Sequence, residues 1–203
     1  MNYIKKFEGM LPLLYNSEDI SDSQVKNEFY HAWDILYERI RATTTDEVTF
    51  LEIGADKGLW SIMFFLVCEE LKKTPVYVTA TLINDNNDHY VNKGYDTNIF
   101  LLYEYRNLNL YKLQSYYEAR GYEYHVIDGN SQEQHTLDLV KNYREKYDLV
   151  FIDGDHTYDG VKRDIELYEP LCSSTLIFHD ILPKERKDFY VQVYAAKIGR
   201  AHV

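Results

Sequence analysis

Apolar residues recur at Val25, Phe29, Ala32, Leu36 and Ile40, three and four positions apart, the spacing of a helix that buries one face. The stretch predicts a helix from Ser21 to Arg41, with Ser21 or Ser23 as its N-cap. Val48 to Ile53 is a short β-rich run that ends at Gly54, and a helical pattern from Leu59 to Lys72 follows, so the order is strand, tight turn, helix. Three further apolar runs, Val76 to Ile83, Tyr124 to Ile127 and Tyr147 to Ile152, have the composition of buried strands. A fifth, Thr175 to Phe178, follows a helix that ends near Pro170. Strands that alternate with helices predict an α/β domain with a doubly wound, mostly parallel sheet and helices on both faces.

Between Asn84 and Gly121 the connection is longer than a minimal crossover. It carries a predicted helix from about Asn107 to Arg120, closed by Gly121. No repeat or linker divides the 203 residues, which are read as a single domain with an N-terminal helical segment, 1–47, and a core, 48–181.

A net charge of −11 with no Lys/Arg cluster argues against nucleic acid as a partner. The apolar runs are too short to span a bilayer and the N-terminus lacks a secretory signal, so the expectation is a cytoplasmic protein with no membrane partner. Cys68 and Cys172 have no metal-ligand spacing and are read as small buried hydrophobes. The 20 tyrosines are read as core and surface aromatics rather than as a binding surface.

Two segments carry chemistry. The first is LEIGADKG, where Glu52, Gly54 and Gly58 form an E-x-G-x-x-x-G turn between a strand and a helix. Its spacing differs from the G-x-G-x-x-G dinucleotide turn, and the acid ahead of the first glycine suits a cationic cofactor better than a diphosphate. The second is DLVFIDGDHTYDGVKRD, followed by the strand that ends in His179-Asp180. Both place polar side chains at the C-terminal ends of strands, the edge where open α/β sheets bind ligands. Within it Asp155 is read as an N-cap for amides near Thr157 and Tyr158. His156 has the pKa range of a general base, though a loop histidine is also commonly just solvated.

In the order LEIGADKG, VIDGNS, DLVFIDGDHTYDGVKRDIELYEPL and LIFHDI, the chain resembles the class I S-adenosylmethionine-dependent methyltransferases, in the branch of cephalosporin-hydroxylase-like and small-molecule O-methyltransferases. The resemblance covers Thr49 to Ile181 and implies a Rossmann-like fold with S-adenosylmethionine as cofactor. It places Glu52, Gly54 and Gly58 around the methionine moiety, and Asp128, Gly129, Asn130 and Ser131 at the adenine. Asp85 is the candidate for the ribose hydroxyls, with Thr81 as the alternative. Asp153 and His156 are the candidate catalytic pair, with Asp153 also beside the cofactor. Metal-dependent relatives imply a divalent ion, Mg²⁺ or Mn²⁺, on Asp153, His179 and Asp180; hydrogen bonding of His179 and Asp180 to nearby loops is the equal alternative. The implied acceptor is a small molecule or a sugar hydroxyl.

Too few residues follow Asp180 for the two strands that close such a sheet, so the final strands are expected to be missing. Residues 198–203, IGRAHV, resemble the translation of a sequencing adapter and are read as a non-native tail. Two other readings stand beside the transferase: a protein that binds S-adenosylmethionine without turnover, and a nicotinamide-dependent oxidoreductase, which the glycine spacing disfavours.

Overall fold

The computed structural model describes residues 3–10, 22–56, 58–83 and 109–179. Its elements in chain order are α1 (Tyr3–Met10), α2 (Asp22–Ala42), β1 (Glu47–Ile53), α3 (Leu59–Leu71), β2 (Thr74–Thr81), α4 (109–118), β3 (Glu123–Asp128), α5 (Gln134–Tyr143), β4 (Tyr147–Ile152), α6 (Tyr158–Tyr168) and β5 (Cys172–Phe178). The five expected strands are present. Helices α1 and α5 are additions to the expected set. Ser23 lies inside α2, whereas Ser21, Asp85, Asp180 and the tail 198–203 lie outside the described residues.

The strands form one parallel sheet in the order β3-β2-β1-β4-β5. β4 pairs with β1 through Phe50↔Leu149 to Ile53↔Ile152, and with β5 through Tyr147↔Cys172 to Ile152↔Phe178. The winding direction reverses between β1 and β4, and open α/β sheets bind ligands outside the strand ends at such a reversal.

By its contacts the chain divides into two compact units. The first comprises residues 1–48, 56–77 and 83–126. Its α3, LWSIMFFLVCEEL, is buried at every position from Ser61 to Cys68, as its nearly continuous apolar sequence requires. Phe65 stacks on Tyr117 with ring centroids 3.7 Å apart, and Tyr77 and Tyr124 lie 4.5 Å apart in the same cluster. The Tyr124 hydroxyl donates to Ser61 Oγ at 3.0 Å. Lys6 of α1 pairs with Glu69 of α3.

The second unit comprises residues 49–55, 78–82 and 127–203. Leu51, Ile53, Val78, Ala80, Ile127, Val150 and Ile152 meet Leu137 and Val140 of α5 and Val161, Ile165 and Tyr168 of α6 in one buried cluster. Tyr77, Tyr124, Tyr147 and Tyr168 are among the largest fully buried side chains, whereas Tyr111, Tyr143 and Tyr158 are exposed. Cys68 is buried, but Cys172 is only half-buried, because β5 is covered less than β4; both thiols are free.

Near the start of β1 and β4 the Asp148 carboxylate accepts from both Thr49 N and Thr49 Oγ1 at 2.9 Å, and Thr49 Oγ1 accepts from Asp148 N at 2.9 Å. Thr49→Val keeps the β-branched shape and removes two of these three bonds. It should lower unfolding stability by about 1–3 kcal/mol in urea titration, with the slope of the transition unchanged.

Candidate functional site

The rim of the second unit is built by main-chain hydrogen bonds that continue the ladder one residue past the strand ends. Gly129 N donates to Thr81 O at 3.1 Å and Gly54 N to Ala80 O at 2.9 Å. Asp153 N donates to Ile53 O at 2.8 Å and His179 N to Ile152 O at 3.3 Å. The first residues after β1, β3, β4 and β5 are thereby aligned along one edge.

Gly54 has φ +82°, and a Cβ there would overlap the Asp153 carbonyl and crowd Gly154 Cα at 2.8 Å. The position needs glycine for two reasons, the left-handed backbone and the close approach of the segment that follows β4. Glu52 is 1% exposed near the end of β1. Gly58 belongs to the first unit. There it takes φ +79° at the N-terminus of α3 and lies against Leu110 and Leu113 of α4. A Cβ at Gly58 would meet these two leucines, so packing against α4 requires the glycine.

Asp153 is the focus of the rim. Its Oδ1 lies 3.1 Å from His156 Nε2 and 3.3 Å from His179 Nδ1. Burial by itself would raise the Asp153 carboxyl, but hydrogen bonds from the two imidazoles and their charge outweigh it and hold the group below the usual carboxylate range. A carboxylate that accepts from His156 Nε2–H fixes the tautomer with the lone pair on Nδ1, the arrangement a base needs. The Phe151 ring stands edge-on to the His179 ring at 6.1 Å.

A divalent ion needs donors that converge on a point between them. Here the approach of both imidazoles is to one carboxylate oxygen, with His156 Nε2 at hydrogen-bond distance and His179 Nδ1 at ion-pair distance. Among the described residues no group of three His, Cys, Asp or Glu side chains is placed to hold a metal. Of the three expected ligands Asp153 and His179 are described, and Asp180 lies outside the described residues.

The expected adenine segment forms the turn between β3 and α5. Asp128 is exposed at the end of β3, and Gly129, Asn130 and Ser131 are half-buried. Asn130 Oδ1 accepts from Gln132 N at 3.0 Å. Ser131 Oγ donates to Asp164 Oδ1 at 2.7 Å. The N-cap of α6 is Thr157, whose side chain accepts from Gly160 N, and not Asp155 as expected. Asp155 sits one step back, accepting from Thr157 N at 2.9 Å and from Gln132 Nε2 at 3.2 Å.

Sequence reasoning missed Gln132, Asp164 and Tyr168 as parts of this edge. The signal was present: Gly160, Asp164 and Tyr168 follow one another at four-residue intervals, and all three are buried on α6.

The profile of a methyltransferase domain matches residues 51–181. The chain therefore belongs to the methyltransferase-domain family, and its fold is that of the class I S-adenosylmethionine-dependent enzymes. Among solved structures it is similar to CalS11, a TDP-rhamnose 3'-O-methyltransferase of calicheamicin biosynthesis. In the apo form of CalS11 the identity is 15%, with 97% of this chain and 84% of that one covered and a TM-score of 0.53. A second CalS11 structure agrees at 16% identity, 97% and 83% coverage and TM-score 0.53. Comparison with curated protein sequences finds no match.

Asp164 is fully buried, and burial raises its carboxyl to about 7, with the Asp155 charge adding to the rise and the Ser131 hydrogen bond opposing it. A raised folded value means that the native state holds the proton more tightly. The stability this contributes is complete below the unperturbed 3.8 and is lost as pH rises toward and through about 7. Asp153 has the opposite sign, its contribution being lost as pH falls. Asp164→Asn keeps the acceptor and removes the ionisation. The melting temperature of this variant, relative to wild type, should rise between about pH 4 and about pH 7 and level off above that; a difference independent of pH in a thermal-shift series would refute the assignment.

Proposed function

We propose that this protein transfers the methyl group of S-adenosylmethionine to a hydroxyl of a small molecule or sugar, with the Asp153–His156 pair as its proton-accepting machinery. The observation that carries the reading is that this pair stands directly after β4, at the winding reversal and beside the glycine turn of β1. The family match supplies the reaction class. The sugar acceptor draws on the activity named for CalS11.

Glu52, Gly54, Asp128, Gly129, Asn130 and Ser131 belong to the edge that would hold the cofactor, with Gly58 and Asp85 as the remaining candidates. A buried acid at Glu52 and a side-chain-free turn at Gly54 fit a ligand that is cationic and approaches main chain closely. The sulfonium supplies an activated methyl carbon. The acceptor oxygen forms the new C–O bond as the C–S bond breaks, and the electron pair leaves on sulfur as a thioether. Sulfur needs no proton, so the protein's chemical task is the hydroxyl proton, which passes to His156 Nδ1 while Asp153 holds Nε2–H and stabilises the imidazolium. His179 Nδ1, 3.3 Å from the same carboxylate oxygen, supports the Asp153 anion by its charge when protonated. We place the enzyme in the cytoplasm; no helix among the described residues is long and apolar enough to cross a membrane.

The test is calorimetric titration of S-adenosylmethionine, S-adenosylhomocysteine and NADH into the whole chain, with and without Mg²⁺ or Mn²⁺, followed by an acceptor screen. Saturable binding of the first two and not of NADH is expected. Binding of NADH alone would replace the reading with an oxidoreductase, and binding without product from any acceptor would favour a non-catalytic protein. Dependence of turnover on the ion decides the Asp153, His179 and Asp180 ion reading separately. His156→Gln should lower kcat by about 10²–10⁴ and leave the affinity for S-adenosylhomocysteine unchanged in the same titration.

A further inference from the structure

Helix α6 places a carboxyl where a helix core would ordinarily place a hydrocarbon. Asp164 is 0% exposed, and its neighbours four residues away on the helix, Gly160 and Tyr168, are buried with it. One oxygen, Oδ1, accepts from Ser131 Oγ at 2.7 Å. The other, Oδ2, has no hydrogen-bond partner among the described residues and lies against Gly154, where a Cβ would come within 2.9 Å of it. Burying a polar group half satisfied opposes folding.

What the arrangement secures is the turn 129–132. Tyr168 Oη donates to Ser131 O at 2.7 Å, so α6 grips Ser131 by both its hydroxyl and its carbonyl. Such a double attachment sets the side-chain rotamer and the peptide plane together. The flanking residues are held as well: Gly129 N by Thr81 O, Gln132 N by Asn130 Oδ1, and Gln132 Nε2 by Asp155 Oδ2. Asp155 in turn lies over Gly160, where any Cβ would overlap its carboxyl carbon. The turns after β3 and β4 are thus tied to each other through one face of α6.

We propose that Asp164 is the positioning residue for the nucleoside end of the cofactor: through Ser131 it holds residues 129–132 in the shape that receives the adenine ring. The proposal rests on the S-adenosylmethionine reading. Asp164 has no exposed surface and bonds Ser131 of that turn, so its loss should fall on the nucleoside half of the ligand.

The experiment uses the whole chain with S-adenosylhomocysteine and adenosine as probes. Asp164→Leu, which removes the acceptor at similar volume, should weaken both ligands by about tenfold, a loss of the size of one buried hydrogen bond. Asp164→Asn, which keeps the acceptor, should stay within about threefold of wild type. Adding Ser131→Ala to Asp164→Leu should cost little more, because both remove the same bond. Wild-type affinity in a folded Asp164→Leu protein, or full additivity with Ser131→Ala, overturns the proposal.

If Asp164→Leu does not fold, Ser131→Ala breaks the bond from its half-buried end and carries the same expectation. Amide hydrogen exchange provides a readout without any ligand. Residues 127–134 should exchange faster in Asp164→Leu and Ser131→Ala, with β1 unchanged; uniform acceleration, or none, overturns the tie. Absence of S-adenosylhomocysteine binding in the wild type removes the functional reading and the nucleoside role with it, and the exchange result still decides whether Asp164 holds the turn.

Discussion

The candidate site depends on a parallel ladder that does not stop where the strands do. Four main-chain N–H groups, at Gly54, Gly129, Asp153 and His179, continue the pairing onto neighbouring strands. Each is the first residue after its strand, so the loops leave the sheet from fixed starting points. Groups that ligand chemistry needs in register are brought there by the same interaction that stabilises the sheet. A loop that merely followed its strand would have no such alignment.

Close approach is the second constraint, and it shows what the glycines do. Gly54 is needed because the main chain after β4 passes where a side chain would be, and Gly160 because Asp155 occupies the equivalent space on α6. A glycine turn after the first strand therefore has a protein-internal reason to exist before any cofactor is considered. Gly58 shows the same at the start of α3, with Leu110 and Leu113 as neighbours.

A half-buried carboxyl, Asp153, and a fully buried one, Asp164, are driven in opposite directions, and the difference lies in their donors. Asp153 has two imidazoles at one oxygen and is held as an anion in spite of burial. Asp164 has one hydroxyl, a like charge nearby at Asp155 and an oxygen without a hydrogen-bond partner among the described residues, so burial prevails. The first suits proton transfer, because it stabilises a protonated imidazole beside it. The second suits holding a loop, because its neutral form tolerates a dry setting.

The local pattern of the chain was enough to determine the strand set and the glycine turn, but not α1 or α5. The helix read from Asn107 to Arg120 and the one read from Leu59 to Lys72 also emerged close to their limits, as residues 109–118 and Leu59–Leu71. These features follow from periodicity and from backbone preferences, which act over a few residues. Asp153 and His156 were each named as candidates from the motif that follows the fourth strand. That His179 shares the same carboxylate oxygen, and that Asp164 and Tyr168 grip Ser131 from more than thirty residues away in the chain, was decided only by tertiary structure. Sheet order and the face that a helix turns inward set those meetings. The same motif letters are compatible with a capping Asp155, a metal-bound Asp153 or a solvated His156 until packing chooses which groups approach one another.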